Sequence, residues 1–312
     1  MRILVVDLLG GLGDLIMVLP AVHALAEHHP GAEVTVLTHA PGAVLLARDP
    51  AVAAVRTAEK HDERAAVAGA LAEIRPDLAV TTTRFDGIGD LVDADAARRG
   101  TRAVTNLWRR PPADELVGQR YLAILAAEGV VAPGARSPRV VLGDDERATG
   151  RADVAGYGPR PTVLVPDVGM AVKRWPSPRW AELAARLPGP VCSVGPVAGA
   201  IELPPTDLRR LAARFAAVGE RGGVVVGPDT GPVRLAAAVG TRTVALFGPT
   251  LASRYGLEEG ENLQGLPGCP HREPTAITEQ VCWWDAACPL SASGPACMED
   301  LPVERVAAAV TG

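Results

Sequence analysis

Asp229, Thr230 and Gly231 stand between a run of valines, Val224 to Val226, and the alanine-rich segment Leu235 to Val239. The valines are β-branched, as a buried parallel strand requires. Thr230 can cap the following helix, and Pro232 suits its first turn. A helix starting at Gly231 then presents free N–H groups and a partial positive charge, an anion site suited to phosphate. Two other segments carry chemistry. Gly10, Gly11, Leu12 and Gly13 precede Asp14, and their glycines let the backbone approach a ligand. Asp14 reads as a general base or as the cap of a helix starting near Leu15. Lys173 and Lys60 are the only lysines, and Lys173 lies beside Arg174 and Trp175. Its ammonium is a compact charge suited to a diphosphate oxygen.

These segments, Gly10 to Leu25, Val165 to Pro176 and Gly223 to Thr250, resemble heptosyltransferase-like glycosyltransferases of family 9 in spelling, order and spacing. The resemblance implies a GT-B fold of two Rossmann-like domains facing each other across a cleft. It implies inverting, metal-independent transfer of a sugar, ADP-heptose being the first-choice donor, to an acceptor hydroxyl. Asp14 matches the catalytic Asp. Gly11, Gly13 and Lys173 match donor-binding positions. Asp229 matches a residue that meets sugar hydroxyls, while Thr230 and Gly231 match diphosphate binders. No metal and no cofactor is implied. The acceptor is a glycan, a lipid-linked sugar or a small molecule, in a lipopolysaccharide-core, cell-surface glycan or secondary-metabolite pathway. A nucleotide-sugar epimerase and a non-catalytic nucleotide-sugar binder stay open as alternatives.

Three departures qualify the match. Arg234 replaces the usual His five residues after the Asp; a cation in a first helical turn opposes the dipole and is expected to face a bound diphosphate. Val168, Gly169 and Met170 stand where Ser or Thr is common. Only Gly195 to Ala200 separates the Val191 strand from Ile201 to Leu203, where a full helix usually carries an acid for the ribose.

The elements that must position these residues come in two runs. Ile3–Val6, Glu33–Thr38, Leu78–Thr83 and Arg102–Thr105 read as strands; Ile16–His28, Ala65–Glu73 and Leu116–Glu128 read as helices. After a short helix opening near Gly143, the stretch 156–161 reads as a linker. The βαβ rhythm then restarts at Thr162 and ends in a helix over Val303–Val310. The expected division is an acceptor-binding domain, 1–155, and a donor-binding domain, 156–312.

Composition sets the bounds. The 312 residues suit two domains, and a net charge of −5 argues against nucleic-acid binding. No apolar run reaches the ~18 residues of a membrane span, so a cytoplasmic location is expected, with peripheral membrane contact open. Cys269, Cys282, Cys288 and Cys297 resemble a cysteine-rich tail common in the family; their spacing lacks the paired C-x2-C of a zinc ribbon, and plain thiols are expected. Trp283 and Trp284 beside them suggest a packed cap. His23 reads as an ordinary helix-face residue. Asp93 and Asp95 have Asp-x-Asp spacing but fall on an alanine-rich helical segment.

Overall fold

A computed structural model of the chain describes residues 1–109 and 111–312. It divides into two compact units, 1–111 with 117–141, and 112–116 with 142–312. The first contains β1 (Arg2–Val6), α1 (Leu12–His28), β2 (Glu33–His39), α2 (Ala40–Ala43) and β3 (Ala54–Ala58). It continues through α3 (Glu63–Ile74), β4 (Leu78–Thr81), α4 (Ile88–Arg99), β5 (Arg102–Val104) and α5 (Val117–Ala127). Its sheet runs β3-β2-β1-β4-β5, with every pairing parallel. Ile3 to Val6 are fully buried, as expected of a central strand covered on both faces.

The second unit opens with α6 (Asp144–Val154), β6 (Thr162–Leu164), α7 (Ser177–Arg186), β7 (Val191–Ser193) and β8 (Ile201–Glu202). Then follow α8 (Leu208–Glu220), β9 (Val224–Pro228), α9 (Gly231–Ala238), β10 (Arg242–Phe247) and α10 (Ala252–Tyr255). It ends with β11 (Glu261–Gln264), α11 (Ala296–Glu299) and α12 (Val303–Thr311). Its parallel sheet runs β11-β10-β9-β6-β7-β8. Both sheets are doubly wound. The order reverses between β1 and β4 in one and between β6 and β9 in the other, and ligands of such sheets bind at these reversals, beyond the carboxyl ends of the strands.

The division falls after Val141, earlier than the 156–161 stretch suggested. The reason is α6, which packs along α8 through ion pairs. Arg209 holds Glu146, and Arg210 and Arg214 both reach Asp153 at 2.7 Å. The hydrogen bond from Arg210 comes first and Arg214 adds to it; against burial, they hold the Asp153 carboxyl down at about 2. The strands missed by sequence, β3, β8 and β11, are edge or near-edge strands with little apolar content. The alanine-rich segment that carries Asp93 and Asp95 is helical as expected, and α4 buries only Ile88, Val92, Asp95 and Ala96. Asp95 on α4 pairs with Arg98 and Arg99, and Asp93 accepts from Thr105, so the Asp-x-Asp pair is engaged within the fold.

His23 is not an unpaired face residue. It is buried on α1, 2.7 Å from Asp49, and against the cost of burial it holds the Asp49 carboxyl below its ordinary range. No helix among the described residues is long and apolar enough to cross a membrane.

Candidate functional site

The glycine loop joins β1 to α1. Gly10 sits at φ +102°, a conformation that side chains rarely adopt. The helix begins at Leu12, earlier than the periodicity suggested, with Gly11 as its N-cap. Asp14 is therefore not the cap. It is the third helical residue, and its carboxylate accepts the Gly11 N–H at 3.1 Å, half of a capping box. The side chain is half-buried and lies in the first turn of a 17-residue helix.

In the second unit the switch point brings the ends of β6 and β9 together. Asp229 follows β9 and is 5% exposed. Both of its carboxylate oxygens are taken. Oδ1 accepts from Arg234 Nη2 at 2.5 Å, and Oδ2 accepts from Lys173 Nζ at 2.8 Å and from the Thr250 hydroxyl at 2.9 Å. Burial alone would favour the neutral acid. Arg234, Lys173 and Thr250 outweigh it and hold the carboxyl well below the usual range.

Two residues singled out by sequence have partners that the chain order did not indicate. Asp229 is the hub of a charge cluster. Arg234 is buried, and the nitrogen that meets Asp229 also donates to the Tyr255 carbonyl. It neutralises Asp229 instead of standing uncovered at the helix end, and so resolves the conflict with the α9 dipole.

Lys173 sits in the turn between β6 and α7. It gives two N–H groups to Asp229, to the carbonyl at 3.0 Å and to the carboxylate, so its third has no oxygen partner among the described residues. Trp175, two residues on, is fully buried. It packs edge-on to Trp180 at 4.7 Å and donates to the Leu301 carbonyl, which pins the turn. Trp283 lies 5.7 Å from the ammonium, and with Val172 and Cys282 it forms a small apolar cluster under the turn. The cysteine-rich segment thus supports Lys173. All its cysteines are free thiols, and burial raises Cys297 to about 12. Trp283 packs, whereas Trp284 is 72% exposed.

Thr230 is the N-cap of α9, but its hydroxyl makes no capping bond; the oxygen is buried without a partner. An unpartnered buried hydroxyl is uncommon and marks a place for a missing acceptor. Gly227 lets α9 approach closely: a Cβ there would come within 2.5 Å of Val233 and 2.7 Å of the Val165 carbonyl. Beside this cluster, the ends of β6 and β7 enclose a cavity of about 440 Å³ lined by Asp167, Arg174, Ser177 and Ala198 among others. Sequence reasoning missed Thr250, Tyr255 and Trp283 as members of the site. Only Thr250 carried a signal, as the polar residue closing Gly248-Pro249-Thr250 after a strand.

Residues 196–264, which contain Asp229 to Arg234, match the family model of glycosyltransferase family 9 (heptosyltransferase). Compared with curated proteins by sequence, nothing matches the chain. A family 9 glycosyl transferase of Veillonella parvula superposes with a TM-score of 0.74 at 17% identity, over 99% of this chain and 96% of that one. The E. coli ADP-heptose lipopolysaccharide heptosyltransferase II gives 0.68 at 19% identity, over 100% and 98%. E. coli heptosyltransferase WaaC with ADP gives 0.60 at 17% identity, over 90% and 98%. At these identities the likeness carries the fold, two Rossmann-like units of the GT-B kind. The matched segment is thus similar to glycosyltransferase family 9, and the fold is similar to that of the heptosyltransferases.

Proposed function

We propose that the chain moves a sugar from a nucleoside-diphosphate donor to an acceptor hydroxyl, with inversion and without a metal ion. One observation carries this reading: the charge balance around Asp229. Lys173 and Arg234 bring two positive charges and Asp229 one negative, which leaves a net positive cluster beside the N-terminus of α9. A diphosphate supplies the missing negative charge, and its oxygens suit the third N–H of Lys173, the Thr230 hydroxyl and the Gly231 N–H. Asp14 accepts the proton of the attacking hydroxyl while the cluster stabilises the departing diphosphate.

ADP-heptose is the leading donor. WaaC has been solved with ADP and with ADP-2-deoxy-2-fluoro heptose, and the heptosyltransferase TibC with ADP-D-β-D-heptose. The nucleoside is assigned to the cavity beside Asp167 and Arg174. The acceptor is assigned to the loops after β1, β2 and β4, where Arg84 lies over Trp108 and Phe85 is 43% exposed. It is a glycan, a lipid-linked sugar or a small molecule, met in the cytoplasm and, for a lipid-linked sugar, at the membrane surface. The chain's negative net charge disfavours nucleic acid as a partner.

Release of ADP from ADP-heptose in EDTA, with the product anomer read by NMR, tests this directly. Undiminished turnover with inverted configuration is expected. A strict need for Mg²⁺ or Mn²⁺, or a retained configuration, contradicts it.

The variant Lys173→Ala should weaken ADP binding by about 1.5–3 kcal/mol, the range for a hydrogen bond to a charged group, as read by calorimetric titration. Unchanged affinity would reduce Lys173 to a partner of Asp229.

A further inference from the structure

The cavity assigned to the nucleoside lies wholly in the second unit, beyond the carboxyl ends of β6 and β7. Its lining is largely apolar, with Pro166, Val168, Trp180 and Val197 among the walls. Two charged side chains interrupt it, Asp167 and Arg174, both from the turn between β6 and α7. Both residues are exposed, and neither side chain has a hydrogen bond or an ion pair among the described residues. One charge of each sign therefore borders a space of about 440 Å³ without being used by the fold.

The Asp167 carboxylate lies against the backbone of Gly195, just beyond β7: a Cβ at Gly195 would come within 3.0 Å of Oδ2. Gly195 is at φ +90°, where side chains are rarely found, so the chain there is bare and admits this approach. Nucleotide-binding sheets of this winding meet a ribose hydroxyl with an acid about 20 residues after the first turn, near the end of the second strand. Here that strand is β7, and no Asp or Glu occurs between Glu182 and Glu202. Glu202 sits on the two-residue edge strand β8 and does not line the cavity. Asp167, reaching from the end of β6 to Gly195, brings a carboxylate to that point instead.

We infer that Asp167 is the residue that selects ribose: its two oxygens accept the 2′- and 3′-hydroxyls of the donor's nucleoside, so that the chain prefers ribonucleoside to deoxyribonucleoside diphosphates. The inference rests on the proposed nucleoside-diphosphate site and names what recognises its sugar ring. A carboxylate offers two acceptor oxygens side by side, and a vicinal diol offers two donors in the same arrangement. Hydrogen bonds to an ionised acceptor are the stronger kind. The apolar walls receive the base, and Arg174 in the same lining balances the charge that Asp167 brings to an anionic ligand.

Calorimetric titration of the full chain with ADP, 2′-deoxy-ADP and 3′-deoxy-ADP, in EDTA, tests this on wild type, D167A and E202A. Wild type should bind each deoxynucleotide about 10- to 100-fold more weakly than ADP, the range for a lost hydrogen bond to a charged group. D167A should bind all three alike, and E202A should keep the wild-type preference. Because the Asp167 side chain has no partner in the fold, D167A should melt near the wild-type temperature, which separates a lost preference from a lost structure. A D167A variant that weakens all three nucleotides equally, or none, with the preference for ADP intact, overturns the inference and leaves the diphosphate site standing. A wild type that binds the three alike does the same. A wild type that binds none of them, ADP included, overturns the proposed function and this inference with it.

Discussion

Replacing Asp14 with Asn should cut turnover by about 10²–10⁴ while leaving the fold and ADP affinity nearly intact. The substitution is close to isosteric, and an Asn oxygen can still accept the Gly11 N–H that Asp14 accepts at 3.1 Å. What it removes is the negative charge and the capacity to take a proton. The structural loss is limited to the interaction of that charge with the helix N-terminus, about 0.3–1 kcal/mol. Steady-state ADP release, set beside the melting temperature and ADP titration of the same variant, separates the two effects. A rate within a few-fold of wild type would leave Asp14 with its capping role alone.

The largest stability effect is expected at Asp229. Asp229→Ala leaves Arg234 and Lys173 facing each other without their shared carboxylate, in a site where Arg234 and Asp229 are each 5% exposed. Removing one partner of a buried pair costs about 3–5 kcal/mol, since the remaining charge stays desolvated. The loss should appear in the denaturant-induced transition of the second unit. ADP binding should disappear with it, because Asp229 also positions the Lys173 ammonium. Asp229→Asn should fall between the two, keeping an acceptor but not the charge. A loss under about 1 kcal/mol would mean that the cluster is solvated and does not organise the site. The pH dependence has a defined sign. Asp229 is lowered in the folded state, so its stabilisation is present above its ordinary value of 3.8 and lost as pH falls below it.

Most of the doubly wound architecture was legible, because buried parallel strands are written as short β-branched runs and their helices as longer periodic ones. Val224 to Val226 and Ile3 to Val6 are such runs. The elements that escaped lack this signature: β3 is mostly exposed on an edge, and β8 has two residues, both exposed. The site divides the same way. Asp14, Lys173, Asp229, Thr230 and Gly231 were singled out because local spelling places them after strands. Their partnerships were not, since nothing in the chain order indicates that Lys173 reaches across 56 positions to Asp229. Arg234 is the clearest case. A cation in a first helical turn looks anomalous in sequence and is explained once Asp229 and the Tyr255 carbonyl are seen to receive it.

On the proposed function, the second unit seats a nucleoside diphosphate through charge and N–H groups alone. Calorimetric titration of the full chain with ADP, GDP, UDP and dTDP, in EDTA and again with Mg²⁺, tests it most directly. Saturable one-to-one binding in EDTA is expected, with ADP the tightest and little change on adding Mg²⁺. Binding of none of the four in EDTA, or binding that appears only with the metal, would contradict it.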